Sequence, residues 1–193
     1  MKNVIILGAS GNIAKQVIEI LVKKENISLT LFLRNKGKLR NIDVSKCHVI
    51  EGNVLDYNQL NGAIKGQDVI YANLSGELEV MAKNIVKSMN EQGVKKLIFI
   101  SSIGIYDTPL RTVLKPYRKA SDLIEASDLE YTILRPTWFT SVNEVDYETT
   151  EKGESEKGSV ISQRSLATFI TKIIESPENY KCKNLGINKP NSW

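Results

Sequence analysis

The sequence contains very few of the residues that usually hold structural metals. It has two cysteines, Cys47 and Cys182, which are far apart and have no CxxC partner, and a single histidine, His48. We expect no metal site, because a zinc site needs about four suitably spaced cysteine or histidine ligands. So few cysteines also indicate a reducing, cytoplasmic environment, with one disulfide between the two as the open alternative.

Long segments of one chemical character are also missing. The first apolar run, at residues 4–7, ends at Gly8 and is too short for a signal peptide or a membrane span. The net charge of +4 and the pI of about 8.9 come from lysines scattered among acidic residues, not from a basic run. We therefore expect a small anionic ligand as partner, and neither nucleic acid nor a membrane. The oligomeric state stays open.

The 193 residues, 41% of them hydrophobic, suffice for one domain with a proper core and are too few for two. Short β-rich runs alternate with helical patterns, which indicates βαβ units around a parallel sheet. The predicted strands are residues 3–7, 29–33, 47–51, 69–72, 97–101 and 131–134, with 185–188 as a further candidate. The right-handed crossover rule then favours an α/β fold with an open, doubly wound parallel sheet and helices on both faces.

Apolar residues at helical spacing predict two helices that pack on this sheet. Their core stripes are Ile13, Val17, Ile18 and Leu21 in one helix, and Val80, Met81, Ile85, Val86 and Met89 in the other. Further helix starts are predicted at Asp56, at Pro116 and at Ser162, which would cap residues 163–175. Residues 143–158 are acidic and poor in aliphatic side chains, and form either a surface hairpin or lid, or a solvated loop.

The sequence GASGNIA, residues 8–14, lies between the first predicted strand and the first predicted helix. Gly8 permits a tight turn, Gly11 lacks a side chain that would block a pyrophosphate, and the helix offers free N–H groups. Ala14 replaces the third glycine of the dinucleotide fingerprint, which allows a small residue there. The strand, turn and helix context predicts dinucleotide binding by this segment, with contacts from Ser10 and from residues 12–13.

The end of the second strand carries a base where NAD-binding folds usually carry an acid. Arg34, with Lys36 and Lys38 nearby, would attract the 2′-phosphate of NADP, and its flat guanidinium could stack on the adenine. We therefore predict NADP as the cofactor, with NADPH preferred over NADH. The alternative is that these residues are ordinary loop charges in a basic protein.

Nearly the whole chain resembles the atypical short-chain dehydrogenase/reductases, specifically the small NmrA-like NAD(P)H-binding proteins. The resemblance rests on GASGNIA, on GNVLD at 52–56, on LIFISSIGIY at 97–106, on YTILRPTWFT at 131–140, and on VISQRSLA at 160–167, which is similar to the family's closing helix start. It implies a single Rossmann-like domain over residues 1–193, with a small substrate-side region around 136–193.

The resemblance extends the predicted cofactor site to residues that follow the later strands. Relatives more often have aspartate at Asn53, which contacts the adenine together with the next residue, and asparagine can still hydrogen-bond there. Pro136 and Trp138 would border the nicotinamide, with Trp138 either walling the substrate pocket or packing in the core. The predicted cofactor-binding residues are Gly8, Ser10, Gly11, Asn12, Ile13, Arg34, Asn53, Val54, Ala72, Asn73, Leu74, Ser101, Pro136 and Trp138.

The catalytic residues of the larger enzyme family are matched only in part. That family uses a serine and a Tyr-x-x-x-Lys pair, in which the lysine lowers the tyrosine pKa. Here Tyr117 is followed four residues later by Ser121, and Lys119 lies about half a turn away from Tyr117. We predict Ser102, Tyr117 and Lys119 as catalytic residues, although Tyr117 and Lys119 are equally compatible with the exposed first turn of a helix.

Two functions follow from this resemblance. The first is NADPH-dependent reduction of a small carbonyl, quinone or conjugated acceptor. The second is a non-catalytic NADP-binding redox sensor or regulatory interaction protein of NmrA type, which the incomplete Tyr-x-x-x-Lys pattern favours. No segment of the sequence resembles an additional partner-binding region, and we therefore favour the enzyme.

Overall fold

The computed structural model describes residues 1–192. Its strands are β1 (Lys2–Leu7), β2 (Ile27–Leu33), β3 (His48–Glu51), β4 (Val69–Ala72), β5 (Lys96–Ile100), β6 (Glu130–Pro136), β7 (Trp138–Thr140), β8 (Glu148–Glu151), β9 (Val160–Ser162) and β10 (Lys183–Asn188). Its α-helices are α1 (Asn12–Leu21), α2 (Tyr57–Ile64), α3 (Leu78–Gln92), α4 (Lys115–Glu125) and α5 (Gln163–Glu175).

The main sheet has eight strands in the order β3-β2-β1-β4-β5-β6-β10-β8. All of its strands run parallel except β8, which pairs antiparallel with β10 at the edge. The order reverses between β1 and β4, and a doubly wound sheet opens its ligand crevice at the carboxyl ends of the strands around such a point. The predicted α/β, doubly wound fold is confirmed, with one antiparallel edge strand that the sequence did not predict.

Helices cover both faces of the sheet. Val4 and Ile6 of β1 point to the face that α1 and α5 cover, and Ile5 and Leu7 point to the face covered by α2, α3 and α4. Strands buried on both faces appear in a sequence as continuous apolar runs, which explains why β1 could be recognised. None of the helices in residues 1–192 is long and apolar enough to cross a membrane.

The predicted helix starts are confirmed. The Asp56 carboxylate accepts a hydrogen bond from the Gln59 N–H at 3.1 Å, and the Ser162 hydroxyl accepts one from the Ser165 N–H at 2.9 Å. Pro116 lies in the first turn of α4, where a missing N–H costs no helical hydrogen bond.

The predicted core stripe of α3 is partly wrong. Val80 is exposed, and the buried residues of this helix include Leu78, Ala82 and Ile85. Each residue advances about 100° around a helix, so Val80 points away from the face that Leu78 and Ala82 share.

The acidic segment, residues 143–158, is more ordered than a solvated loop. It contains β8, and Thr150 of this strand is buried against β10. The chain on either side of the segment forms a second, two-stranded parallel sheet of β7 and β9, which the sequence did not predict. Cys47 and Cys182 are both free thiols, so the alternative of a disulfide between them is wrong in this structure.

Candidate functional site

Two adjoining clefts lie along the carboxyl ends of the strands. The first cleft is lined by Gly8, Ser10, Gly11, Phe32, Leu33, Arg34, Gly52, Asn53, Val54, Asn73, Leu74, Ser75 and Met81. The second cleft is lined by Asn73, Leu74, Ile100, Ser101, Ser102, Ile103, Gly104, Asp107, Arg111, Val113, Leu114, Tyr117, Pro136, Thr137, Trp138, Phe139 and Glu156. Asn73 and Leu74 belong to both, so the two clefts form one continuous groove across the strand ends.

The glycine turn between β1 and α1 is packed tightly against Asn73. Gly8 has a φ of +79°, and a Cβ atom there would lie 2.2 Å from the backbone oxygen of Asn73. A Cβ atom at Gly11 would lie 2.3 Å from Nδ2 of the same asparagine. Gly8 is therefore required by the approach of the Asn73 backbone, a reason additional to the room that a pyrophosphate would need. A Cβ atom at Gly11 would meet only the end of the Asn73 side chain, which can shift.

The N-terminus of α1 opens onto this turn. Gly11 is the N-cap residue and supplies no side-chain cap, so the first N–H groups of the helix, those of Asn12 and Ile13, have no side-chain acceptor at the cap. Such a helix end binds anionic groups through its N–H donors and its dipole. The side chain of Ile13 is buried in the core, so any contact of this residue with a ligand is through its backbone.

Arg34 follows the last residue of β2 and is exposed at the wall of the first cleft. Of the described residues that line this cleft, Arg34 alone is charged. The Lys36 side chain is directed to Glu51 instead, with its Nζ 3.5 Å from Oε2 of that residue. The backbone N–H of Lys36 also donates to Oε1 of Glu51 at 3.1 Å. The positive charge predicted for this position is therefore supplied to the cleft by Arg34.

The loop after β3 forms the opposite wall of the first cleft. Gly52 packs closely against Phe32: a Cβ atom at this position would lie 2.5 Å from the aromatic ring. Asn53 holds the loop by accepting a hydrogen bond from the Leu55 N–H at 3.1 Å, and the Val54 carbonyl accepts one from Asn84 at 3.0 Å. Ala72, predicted to run beside the cofactor, is fully buried in the core, so its side chain lies outside the cleft.

The second cleft has a volume of about 580 Å³, within the range of small-molecule sites. Ser102 lines it and donates its hydroxyl to the Ile103 carbonyl at 3.1 Å. Ser101 is buried, with its hydroxyl 3.0 Å from that of Ser121. Tyr117 lies in the lining, so the structure brings Ser102 and Tyr117 to the same cleft.

Lys119 does not join them in this structure. It lies outside the lining of the second cleft, and its Nζ is 2.9 Å from Oε2 of Glu79 on α3, with the lysine side chain 64% exposed. Hydrogen bonds from Lys83 and Lys119 lower the pKa of Glu79 to about 2. The Lys119 ammonium is therefore directed to α3 and away from the second cleft, and its catalytic role stays a prediction.

Trp138 is 70% exposed in β7 and lines the second cleft. The alternative of a buried core indole is therefore wrong. Phe139 and Val113 are also exposed at this cleft, which gives it an apolar rim.

Sequence reasoning missed several residues of the second cleft, above all Arg111, Asp107 and Glu156. Asp107 and Arg111 follow β5 at some distance, and Glu156 lies in the acidic segment, for which the sequence predicts a surface hairpin or lid, or a solvated loop. The one available signal was the position of Asp107 directly after the LIFISSIGIY segment.

Comparison with known proteins agrees with this geometry. Residues 8–177 match a protein-family model described as NAD(P)H-binding. A Rossmann-fold NAD(P)-binding family protein from Shigella flexneri has 45% sequence identity and a TM-score of 0.92, over 100% of this chain and 95% of that one. A short-chain dehydrogenase/reductase from Veillonella parvula, solved in complex with NADP, has 23% identity and a TM-score of 0.88, over 99% and 96% of the two chains.

Curated relatives are more distant. An isoflavone reductase homologue from Nicotiana tabacum is 23% identical over 97% of this chain and 68% of its own length. The family model matches most of the chain. The chain therefore belongs to this NAD(P)H-binding family.

Proposed function

We propose that this protein is an NADPH-dependent reductase of a small carbonyl, quinone or conjugated acceptor. The observation that carries the proposal is the continuous groove, with the Arg34 charge at one end and the Ser102 and Tyr117 hydroxyls at the other. A groove of this kind can hold a dinucleotide along its length and leave room for a second small molecule.

The residues present fit NADPH. Arg34 would bind the 2′-phosphate, and the loop of Asn53 and Val54 would contact the adenine. The pyrophosphate would lie at the N-terminus of α1, where Gly8 and Gly11 line the first cleft. When bound, NADPH supplies a hydride, and the chain's own residues hold it, orient it and exclude water around it.

The second cleft suits an apolar acceptor. Val113, Trp138 and Phe139 offer apolar surface at its rim, and its lining includes Ser102 and Tyr117, whose side chains carry hydroxyl groups. A hydroxyl within hydrogen-bond reach of the acceptor oxygen can stabilise the charge that develops there and donate a proton. The reductase named among the plant relatives supports this class of reaction. Separately, the two free thiols fit the cytoplasmic location that we expect from the composition.

One observation favours the second candidate, a non-catalytic NADP-binding sensor of NmrA type. Lys119 is paired with Glu79 on α3, so its ammonium group is not directed to the Tyr117 hydroxyl. Tyr117 would then need Ser102 or solvent as its proton partner if the protein turns over substrate.

Turnover decides between the two. Purified protein is supplied with NADPH and with quinones, aldehydes and flavin-like acceptors in turn, and oxidation is followed as loss of nicotinamide absorbance. We expect turnover with at least one class, and a lower kcat in Ser102→Ala or Tyr117→Phe. The matched controls are Ser45→Ala and Tyr57→Phe, whose hydroxyls bond to Asp43 and Glu91 outside the groove. Tight NADPH binding without oxidation of any acceptor would favour the sensor, and unchanged kcat in both site variants would remove the proposed proton donors.

A further inference from the structure

The acidic segment, residues 143–158, is tied to the body of the protein before it reaches the second cleft. The Glu144 carbonyl accepts hydrogen bonds from the Ser162 and Ser165 hydroxyls at 2.8 and 3.1 Å. The Glu144 carboxylate also pairs with Lys189 at 2.7 Å, and β8 then adds to the edge of the main sheet. These contacts fix the course of the chain that places Glu156 in the wall of the second cleft.

A buried arginine holds Glu156 there. Arg135 of β6 is 2% exposed, and its Nη1 forms an ion pair with Oε1 of Glu156. Its Nε donates to the Asn184 side chain at 2.9 Å, and its Nη2 lies over Gly186, where a Cβ atom would be 3.5 Å away. A buried guanidinium needs a counter-charge, because the cost of removing it from water is otherwise uncompensated. Glu156 supplies that charge.

The second oxygen of Glu156 binds the loop that carries Ser102. The N–H groups of Ser101 and Ile103 donate to carbonyls of β6 at 2.8 and 3.1 Å, so the loop follows β6 up to residue 103. Gly104 then turns with a φ of +77°, and its N–H donates to Oε2 of Glu156 at 3.3 Å. Glu156 thus holds the first amide after the contacts with β6 end.

We propose that Glu156 is a positioning residue for the reduction: held by Arg135, it fixes the turn at residues 102–104 beside the second cleft. This inference rests on the proposed function for its catalytic consequence. Burial raises the pKa of the Glu156 carboxyl, and the charge of Arg135 opposes that shift. Both oxygens of Glu156 accept hydrogen bonds, one from the Arg135 guanidinium and one from the Gly104 N–H. Its role in this proposal is therefore to hold the backbone that carries Ser102.

The kinetic test separates positioning from simple charge balance. In the double variant Arg135→Met/Glu156→Met, apolar side chains replace the buried pair, a change that is often neutral or stabilising for folding. If Glu156 served only to neutralise Arg135, this variant would be stable and fully active. We expect a stable protein whose kcat with the best acceptor is lower by about tenfold or more, because small displacements of positioned groups cost up to about a hundredfold.

Two further measurements complete the test. NADPH affinity should stay within about twofold of wild type, since the Arg34 end of the groove is unchanged. The control Lys157→Met alters an exposed residue of the same segment and should leave kcat unchanged. A stable double variant with wild-type kcat would overturn the proposal.

Failure to find an acceptor would count against the proposed function alone. The positioning role of Glu156 can still be measured on the free protein. Amide hydrogen exchange at residues 102–104 should be faster by about tenfold or more in the double variant, while Gly11, whose N–H donates to Gly8, is unaffected. If the double variant does not fold, Glu156→Asp is used: its shorter side chain keeps a charge for Arg135 but reaches Gly104 less well. Unchanged exchange at 102–104 in the folded variant would refute the positioning role.

Discussion

Replacing Gly8 by alanine should destabilise the protein and weaken NADPH binding together. Gly8 has a φ of +79°, and a left-handed backbone costs a residue with a Cβ atom about 1–2 kcal/mol. The new Cβ atom would also lie 2.2 Å from the Asn73 backbone oxygen, so the strand-end backbone must move, and overpacking of this kind costs about 1–3 kcal/mol. The free energy of unfolding should therefore fall by about 2–5 kcal/mol, a large share of the roughly 5–15 kcal/mol of a typical domain.

The assay is urea unfolding of Gly8→Ala beside wild type, followed by titration of each with NADPH. The matched control is Gly62→Ala in α2, where a Cβ atom meets nothing within 4 Å. Alanine inside a helix is favoured over glycine by about 0.5–1 kcal/mol, so this control should be slightly more stable than wild type. If Gly8→Ala were within about 0.5 kcal/mol of wild type and bound NADPH normally, the packing account of the glycine turn would be refuted.

Three smaller predictions concern a helix cap, a thiol and an ion pair. Ser162→Ala should lower the free energy of unfolding by about 1–2 kcal/mol in urea unfolding, because the hydroxyl caps α5 from a buried position; a loss below about 0.5 kcal/mol would contradict the cap. Burial raises the pKa of the Cys47 thiol, so less of this thiol is ionised near pH 8, and iodoacetamide should label the exposed Cys182 first. Peptide mass spectrometry measures the order of labelling, and labelling of Cys47 first would contradict its burial. Lys119→Met should change unfolding by less than about 1 kcal/mol and kcat by less than about twofold, because its pair with Glu79 is exposed; a large fall in kcat would restore its catalytic role.

Much of the fold could be predicted because its signals are local. The inner strands of the sheet are continuous apolar runs, and the caps Asp56 and Ser162 act on amides only three residues away. The strand β8 could not be predicted in this way, since its sequence ETTE is polar and it forms a strand only by pairing with β10. Its order comes from tertiary contacts, which outweigh local preference.

The site divides along the same line. The glycine turn and Arg34 have fixed positions relative to a strand end, so the sequence pattern locates them in the first cleft. The ion pairs of Lys119 with Glu79 and of Arg135 with Glu156 join residues that are distant in sequence or lie on different elements. Neither ion pair produces a pattern in the sequence. The orientation of Lys119 and the position of Glu156 in the wall of the second cleft could therefore be learned only from the folded structure.

The most direct test of the account is the affinity of the protein for NADPH and NADH, measured by nicotinamide fluorescence in wild type and in Arg34→Asp. A charge-assisted hydrogen bond to a phosphate contributes about 1.5–3 kcal/mol, or roughly ten- to a hundredfold in affinity, and the exposure of Arg34 will reduce that figure. We predict tighter binding of NADPH by wild type, and in Arg34→Asp a strong loss of NADPH affinity with NADH affinity similar or improved. The control Lys38→Asp, which changes the same charge outside the cleft lining, should keep the preference for NADPH. Equal affinities in wild type, or an unchanged preference in Arg34→Asp, would contradict the account.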